Sequence, residues 1–261
     1  MDLHLSGKTA VVTGASKGIG LAITNAFVDA GAHVVAGART RGPGLQALED
    51  SGQVSFVAVD LAKPDTAEEL VAAAAHRGGI DVLVNNVGAV TVHTGGFAGV
   101  TDEEWQAAWE LNVMGTVRPT RAALPEIMRR GGGSIVIVGS VNAYYPDPAI
   151  YDYCATKAAV TNFAKALSKE LAPRNIRVNS VSPGPVSTGL WMDDGGVADG
   201  FASVTGQTAD EVKAMIEGGT PTGRFTTPEE VADLVVFLAS DRAGNTTGSD
   251  YRIDGGFVTT Q

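Results

Sequence analysis

A phenol and an ammonium four residues apart are the side chains best placed to do chemistry, in the run Tyr153-Cys154-Ala155-Thr156-Lys157. If that run is helical, residues i and i+4 project from one face. An ammonium beside a phenol favours the phenolate and lowers a pKa that normally lies near ~10. The phenol can then exchange protons nearer neutral pH. Alone, the spacing is common on solvated helix faces. What makes it specific is the ordered company it keeps. A glycine-rich turn, Gly14-Ala15-Ser16-Lys17-Gly18-Ile19-Gly20, precedes it, as do Asn85-Asn86-Val87-Gly88 and an isolated Ser140; Pro183-Gly184 follows. The set points to hydride transfer.

Elements must hold these groups together. Short β-branched apolar runs recur at Thr9–Thr13, His33–Ala38, Val54–Val59, Val82–Val84, Ser134–Val138, Arg177–Ser182 and Tyr251–Ile253. Continuous rather than alternating apolar runs suit parallel strands covered on both faces. Helix-start signals lie between them. Thr101-Asp102-Glu103-Glu104 reads as a capping box, and so does Thr227-Pro228-Glu229-Glu230, with Pro at the first helical position. Repeated strand–helix alternation predicts an α/β fold with a doubly wound, Rossmann-type parallel sheet in one domain over residues 1–261. The stretch 184–225 is glycine-rich and lacks a strand pattern, which predicts a binding loop or lid, with disorder as the alternative.

The glycine turn follows the first strand and opens the first helix with G-x-x-x-G-x-G spacing. Glycines there admit a ligand close to the backbone, and first-turn amides face a pyrophosphate. Asp60, ending the third strand, is placed for an adenine edge. The second strand ends Gly37-Ala38-Arg39-Thr40, with no carboxylate to bind ribose hydroxyls. Arg39, with Lys17 in reach, favours NADP(H) over NAD(H), unless Arg39 is only a surface charge.

Composition narrows the partners. With 261 residues, 44% of them hydrophobic, the chain can bury a large core, and its net charge is −10. An acidic chain lacks the basic footprint that nucleic acid or an anionic membrane requires. One cysteine, Cys154, excludes an internal disulfide and reads as a buried thiol. The four histidines, His4, His33, His76 and His93, have no ligand spacing, so no metal site is expected. No signal segment or membrane span is read, and the chain is expected in the cytoplasm.

On these residues the chain resembles the short-chain dehydrogenase/reductase family over nearly its whole length. Asn112, Ser140, Tyr153, Lys157, Pro183-Gly184 and Thr188 fall where that family's motifs would. Val87 stands where Ala is customary, and Cys154 where Ser is common. The resemblance implies seven strands, nicotinamide-dependent carbonyl or alcohol chemistry, and a homotetramer. It also implies the roles. Tyr153 is the general acid or base, Ser140 polarises the carbonyl, Lys157 holds the nicotinamide ribose, and Asn112 holds a relay water. Gly14, Ser16, Lys17, Gly18, Ile19 and Gly20 would take the pyrophosphate side. Arg39, Thr40, Asp60 and Leu61, then Asn86, Val87 and Gly88, would take the adenosine and ribose side. Pro183, Gly184, Val186 and Thr188 would also bind the cofactor, with Tyr153 and Lys157. For substrate, Ser140, Val141, Asn142, Tyr144, Tyr145, Tyr153 and Ile150 are expected, with Leu190, Trp191 and Met192 from the lid. These side chains suit a hydrophobic carbonyl or alcohol compound. Alternatives are a 3-oxoacyl-thioester reductase, for which Arg129 and Arg130 would be the basic docking pair, an NAD(H)-dependent alcohol dehydrogenase, and a non-enzymatic NADP(H) sensor.

Overall fold

All seven apolar runs become strands of one sheet in the computed structural model, which describes residues 2–259. In chain order the elements begin with β1 (Thr9–Thr13), α1 (Gly18–Asp29), β2 (His33–Ala38), α2 (Pro43–Asp50), β3 (Val54–Ala58) and α3 (Ala67–Ala75). They continue with β4 (Val82–Asn85), α4 (Asp102–Trp109), α5 (Gly115–Arg129), β5 (Gly133–Val138), α6 (Tyr151–Leu171) and β6 (Ile176–Pro183). The last are α7 (Gly189–Met192), α8 (Val197–Thr205), α9 (Ala209–Gly219), α10 (Pro228–Ala239) and β7 (Asp250–Ile253). Every pairing is parallel, in the order β3-β2-β1-β4-β5-β6-β7.

Successive strand residues point to opposite faces, so a sheet covered on both sides needs apolar residues throughout. Ala10, Val12, Val34, Ala36, Val82 and Val84 meet α1 and α10 on one face, through Ile23, Phe27, Val231 and Val235. Val11, Val35, Leu83, Ile135 and Ile137 meet the other, through Leu70, Ala123, Ile127, Val160 and Leu171 of α3, α5 and α6. Both predicted capping boxes form, and a third, Thr208 with Glu211, starts α9. The stretch 184–225 is neither strand nor coil throughout, for it carries α7, α8 and α9. No helix among the described residues is long and apolar enough to cross a membrane.

Strand order reverses direction between β1 and β4, which opens a crevice beyond their carboxyl ends. The two lips are stapled together. Thr13 Oγ1 accepts from the Asn86 and Val87 amides at 2.9 and 3.1 Å, and Asn86 Nδ2 donates to the Thr13 carbonyl at 3.0 Å.

Candidate active site

One cavity of about 1150 Å³ runs over that crevice and on beneath α7–α9. Every residue expected at the cofactor lines it: the glycine loop, the ends of β2, β3 and β4, and the turn after β6. The loop must be glycine for two separate reasons. Gly14 and Gly18 adopt φ of +65° and +54°, where side chains are strained. Gly20 is different: a Cβ there would collide with the Gly14 carbonyl oxygen and the Asn86 amide. The cradle therefore fits a ligand that comes up against bare backbone at a helix N-terminus, as a pyrophosphate does.

Cations gather at the end of β2. Arg41 is occupied by Glu49 at 3.1 Å and by the Phe56 ring at 4.8 Å. Arg39 and Lys17 are exposed, line the cavity and have no ion-pair partner among the described residues. Asp60 also lines it, its carboxylate accepting from the Ala62 amide at 3.3 Å.

The candidate catalytic groups come from three elements. Ser140 follows Gly139 at the end of β5 and caps a 3₁₀ turn, Val141–Ala143. Its hydroxyl accepts from the Asn142 amide at 3.1 Å and donates to Asn142 Oδ1 at 3.0 Å. Tyr153 and Lys157 occupy the first two turns of α6, as the spacing requires. Lys157 is buried, donates from Nζ to the Val138 carbonyl at 3.1 Å, and lies 5.5 Å from the centroid of the Tyr153 ring. Asn112 is no ordinary mid-helix polar residue. It sits in a π-helical turn, Glu110–Met114, joining α4 to α5, and is buried. Its amide clamps the loop after β4: Oδ1 accepts from the Ala89 amide at 3.1 Å, and Nδ2 donates to the Ala89 and Ala108 carbonyls at 3.0 and 3.1 Å.

Electrostatics depart from the expectation drawn from spacing. Burial pushes the Tyr153 phenol up to about 12, and a hydrogen bond with Ser140 only partly opposes this. Burial also draws Lys157 down to about 8. In the protein alone Lys157 therefore does not lower the Tyr153 pKa. Its nitrogen lies 5.5 Å from the ring centroid, and its own charge is desolvated.

The far end of the cavity takes Val141, Asn142, Tyr145, Ile150, Leu190 and Trp191 of the expected substrate set. Two members are misplaced. Met192 does not line the cavity, and Tyr144 turns away to a separate depression beside Thr161 and Asp250. Trp191 stacks on Phe201 (6.1 Å, 3° between planes) and meets Phe225 edge-on at 5.6 Å. Sequence reasoning missed Phe201 and Val204 of α8, and Val212, Met215 and Ile216 of α9, which form the roof. Their i, i+3, i+4 spacing was the available signal. It also missed His93 and Phe257, isolated residues with no pattern around them. Arg129 and Arg130 pair with Glu126 and Asp81, at the opposite end of the sheet, so they form no docking patch here. Cys154 is buried, its sulfur accepting from the Asp147 amide at 3.4 Å, and burial raises its pKa. No group of ligands able to hold a metal occurs among the described residues.

The family described as enoyl-(acyl carrier protein) reductase matches residues 14–258. The chain belongs to the short-chain dehydrogenase/reductase family. Within this family it is 37% identical to the uncharacterized oxidoreductase YvrD of Bacillus subtilis, covering 99% of each chain. It is 35% identical to the 3-oxoacyl-[acyl-carrier-protein] reductase FabG of Thermotoga maritima, over 98% of this chain and 100% of that one. Among solved structures, L-sorbose reductase from Gluconobacter frateurii, complexed with NADPH and L-sorbose, superposes with a TM-score of 0.91 at 38% identity, covering 100% of both chains. The fold, the nucleotide crevice and membership of an oxidoreductase family thus agree. The protein is a short-chain dehydrogenase/reductase acting on carbonyl or CH–OH groups.

Proposed function

We propose that this short-chain dehydrogenase/reductase is an NADP(H)-dependent reductase of uncharged, mainly apolar carbonyl compounds, with Tyr153 as proton donor. The observation that carries the reading is the convergence of Ser140, Tyr153 and Lys157 at the waist of one cavity. A glycine cradle lies at one end of it and an apolar roof at the other. Bound NADPH would supply the hydride. Ser140 is placed to hold and polarise the carbonyl oxygen beside Tyr153. A phenol pushed up to about 12 stays protonated at neutral pH and is set to give its proton to a developing alkoxide. Lys157, drawn down to about 8, still carries its charge at neutral pH, and an anionic or hydroxylated ligand beside it would stabilise that charge further. Asn112 fixes the Ala89 backbone and leaves one Oδ1 lone pair for a relay water.

Arg39 and Lys17, without an ion-pair partner among the described residues at the mouth of the crevice, support a 2′-phosphate and hence NADP(H). The NADPH complex of the Gluconobacter relative points the same way. At the substrate end the charged side chains among the described residues, besides Lys157, are Asp147 and Asp193, while Leu190 and Met215 leave about half their surface open. Two carboxylates, with no cation beyond Lys157, favour a neutral, apolar molecule over an anionic one, and over a carrier-bound thioester. We extend the reading to a homotetramer in the cytoplasm, on the family resemblance, and light scattering would measure the assembly.

The test is a panel of aryl ketones, alicyclic ketones, ketoses and 3-oxoacyl thioesters, assayed with NADPH and NADH at the nicotinamide absorbance. Tyr153→Phe should bind NADPH normally and lose roughly 10²–10⁴-fold in turnover. Retention of a tenth of wild-type turnover would remove Tyr153 from the role.

A further inference from the structure

α6 carries Tyr153 and Lys157, yet its N-cap, Ile150, has no side chain able to accept from the first-turn amides. Such amides need partners when buried. The missing acceptor comes from Asp152, the second residue of the helix, whose Oδ1 accepts from the Tyr153 amide at 2.8 Å. That same oxygen lies 3.1 Å from His93 Nε2, and both side chains are buried, 6% and 4% exposed. An ionised carboxylate can only accept, so the imidazole donates through Nε2–H. His93 is also fixed through its backbone, its amide donating to the Ala149 carbonyl at 2.8 Å. Two hydrogen bonds in series thus join His93 to the backbone of Tyr153.

His93 lies midway along the loop after β4. Near its start the loop is clamped at Ala89 by Asn112. The segment that floors the cavity is therefore anchored twice, once to the π-helical turn and once to the start of α6. The side-chain bond to Asp152 adds to the backbone bond at Ala149 a tie to the carboxylate that caps α6, and so limits how far that first turn can shift relative to Ser140 and the crevice.

We propose that His93 and Asp152 form a positioning pair for Tyr153. The carboxylate stands in for the absent cap of α6, and the imidazole aims it and ties it to the loop. The inference rests on Tyr153 being the proton donor. Neither group touches the reacting atoms. The pair acts by holding the phenol in register, and in such sites a displacement of ~1 Å can cost about 10²-fold in rate.

Deleting either partner leaves a buried group unpaired and threatens the fold itself, so the decisive comparison is between two amides. In His93→Gln the amide nitrogen falls near Nε2 and can still donate to Asp152. In His93→Asn it falls near Nδ1 and cannot reach. With NADPH and the fastest ketone of the panel, His93→Gln should keep kcat within about threefold of wild type, and His93→Asn should lose roughly 10- to 100-fold. KM and NADPH affinity should stay within about twofold in both. Asp152→Asn, which keeps an acceptor oxygen, should fall less than His93→Asn. A readout independent of turnover is the resonance of Tyr153 in protein labelled with ¹³Cζ-tyrosine, assigned by its loss in Tyr153→Phe. It should move in His93→Asn and return in His93→Gln, while Tyr251 stays in place. Equal kcat in the two amide variants with an unmoved Tyr153 resonance, whatever their melting temperatures, would overturn the pairing. If instead Tyr153→Phe keeps its turnover, the proton-donor assignment falls and the resonance still judges the pair.

Discussion

Replacing Lys157 with methionine should make the protein more stable while abolishing turnover. The side chain is buried, and its pKa falls from 10.5 to about 8 because burial penalises the ammonium. At ~1.4 kcal/mol per pKa unit, the charged form costs the folded state about 3 kcal/mol below pH 8. Methionine keeps the length and the packing but forfeits the bond to the Val138 carbonyl. That carbonyl belongs to a residue lining the cavity, and the loss of the one hydrogen bond costs about 1 kcal/mol. The net gain is ~2 kcal/mol at pH 7, or roughly 4–8 °C in melting temperature for a chain of this size. The pH dependence fixes the cause. Between pH 8 and 10.5 the unfolded wild-type chain still holds the Lys157 proton and the folded protein has released it. Wild type therefore gains stability as pH rises through that window, and the variant does not. Tyr153, raised in both proteins, titrates alike in each and drops out of the difference. Urea unfolding without cofactor, at pH 7 and pH 10 and one protomer concentration, measures both quantities. A variant less stable than wild type at pH 7, or a gap that does not shrink by pH 10, would refute the argument.

Three further outcomes follow from the same geometry. Arg39→Asp should lose a charge-assisted contact worth ~1.5–3 kcal/mol and shift the NADPH-to-NADH preference by tenfold or more, read from paired Kd measurements; a wild type that prefers NADH would contradict the assignment of Arg39 and Lys17. Trp191→Ala removes the plate stacked on Phe201 and should raise KM several-fold with NADPH affinity unchanged, and hydrogen exchange across 184–225 should quicken; exchange that is already slow in the free protein and insensitive to ligand would exclude a mobile lid. Gly20→Ala drives a methyl into the Gly14 carbonyl and should weaken NADPH binding at least tenfold, seen by nucleotide fluorescence titration.

Much of the scaffold is legible in the chain because buried parallel strands leave a local mark. The runs of β-branched residues mark the ends of all seven strands to within about a residue. Glycine spacing likewise marks the crevice, since only those positions force the backbone close. The substrate end is less legible. Whether Tyr144 or Tyr145 faces the cavity is decided by a short 3₁₀ turn after Ser140, which residue identity does not dictate. The helices of 184–225 are short and glycine-broken, although the box Thr208 to Glu211 announces one of them. The Tyr153 pKa is raised by the desolvation that the fold imposes on the phenol, a tertiary quantity that an i, i+4 spacing cannot carry. His93 has no motif at all. Its meaning comes only from meeting Asp152, 59 positions away.

The π-helical turn at Glu110–Met114 gives Asn112 its direction, and that direction depends on a count as well as on a residue. A widened turn holds one residue more than a regular helix would between the same end points. Excising one neighbour of Asn112 would let α4 and α5 fuse into a smoother rod, with better backbone bonding than before. It would also swing the amide about 100° around the axis, off Ala89. Here a shorter chain would be locally more regular and functionally blind. The site is thus exposed to single-codon deletions that an inspection of which amino acids are retained would pass as harmless.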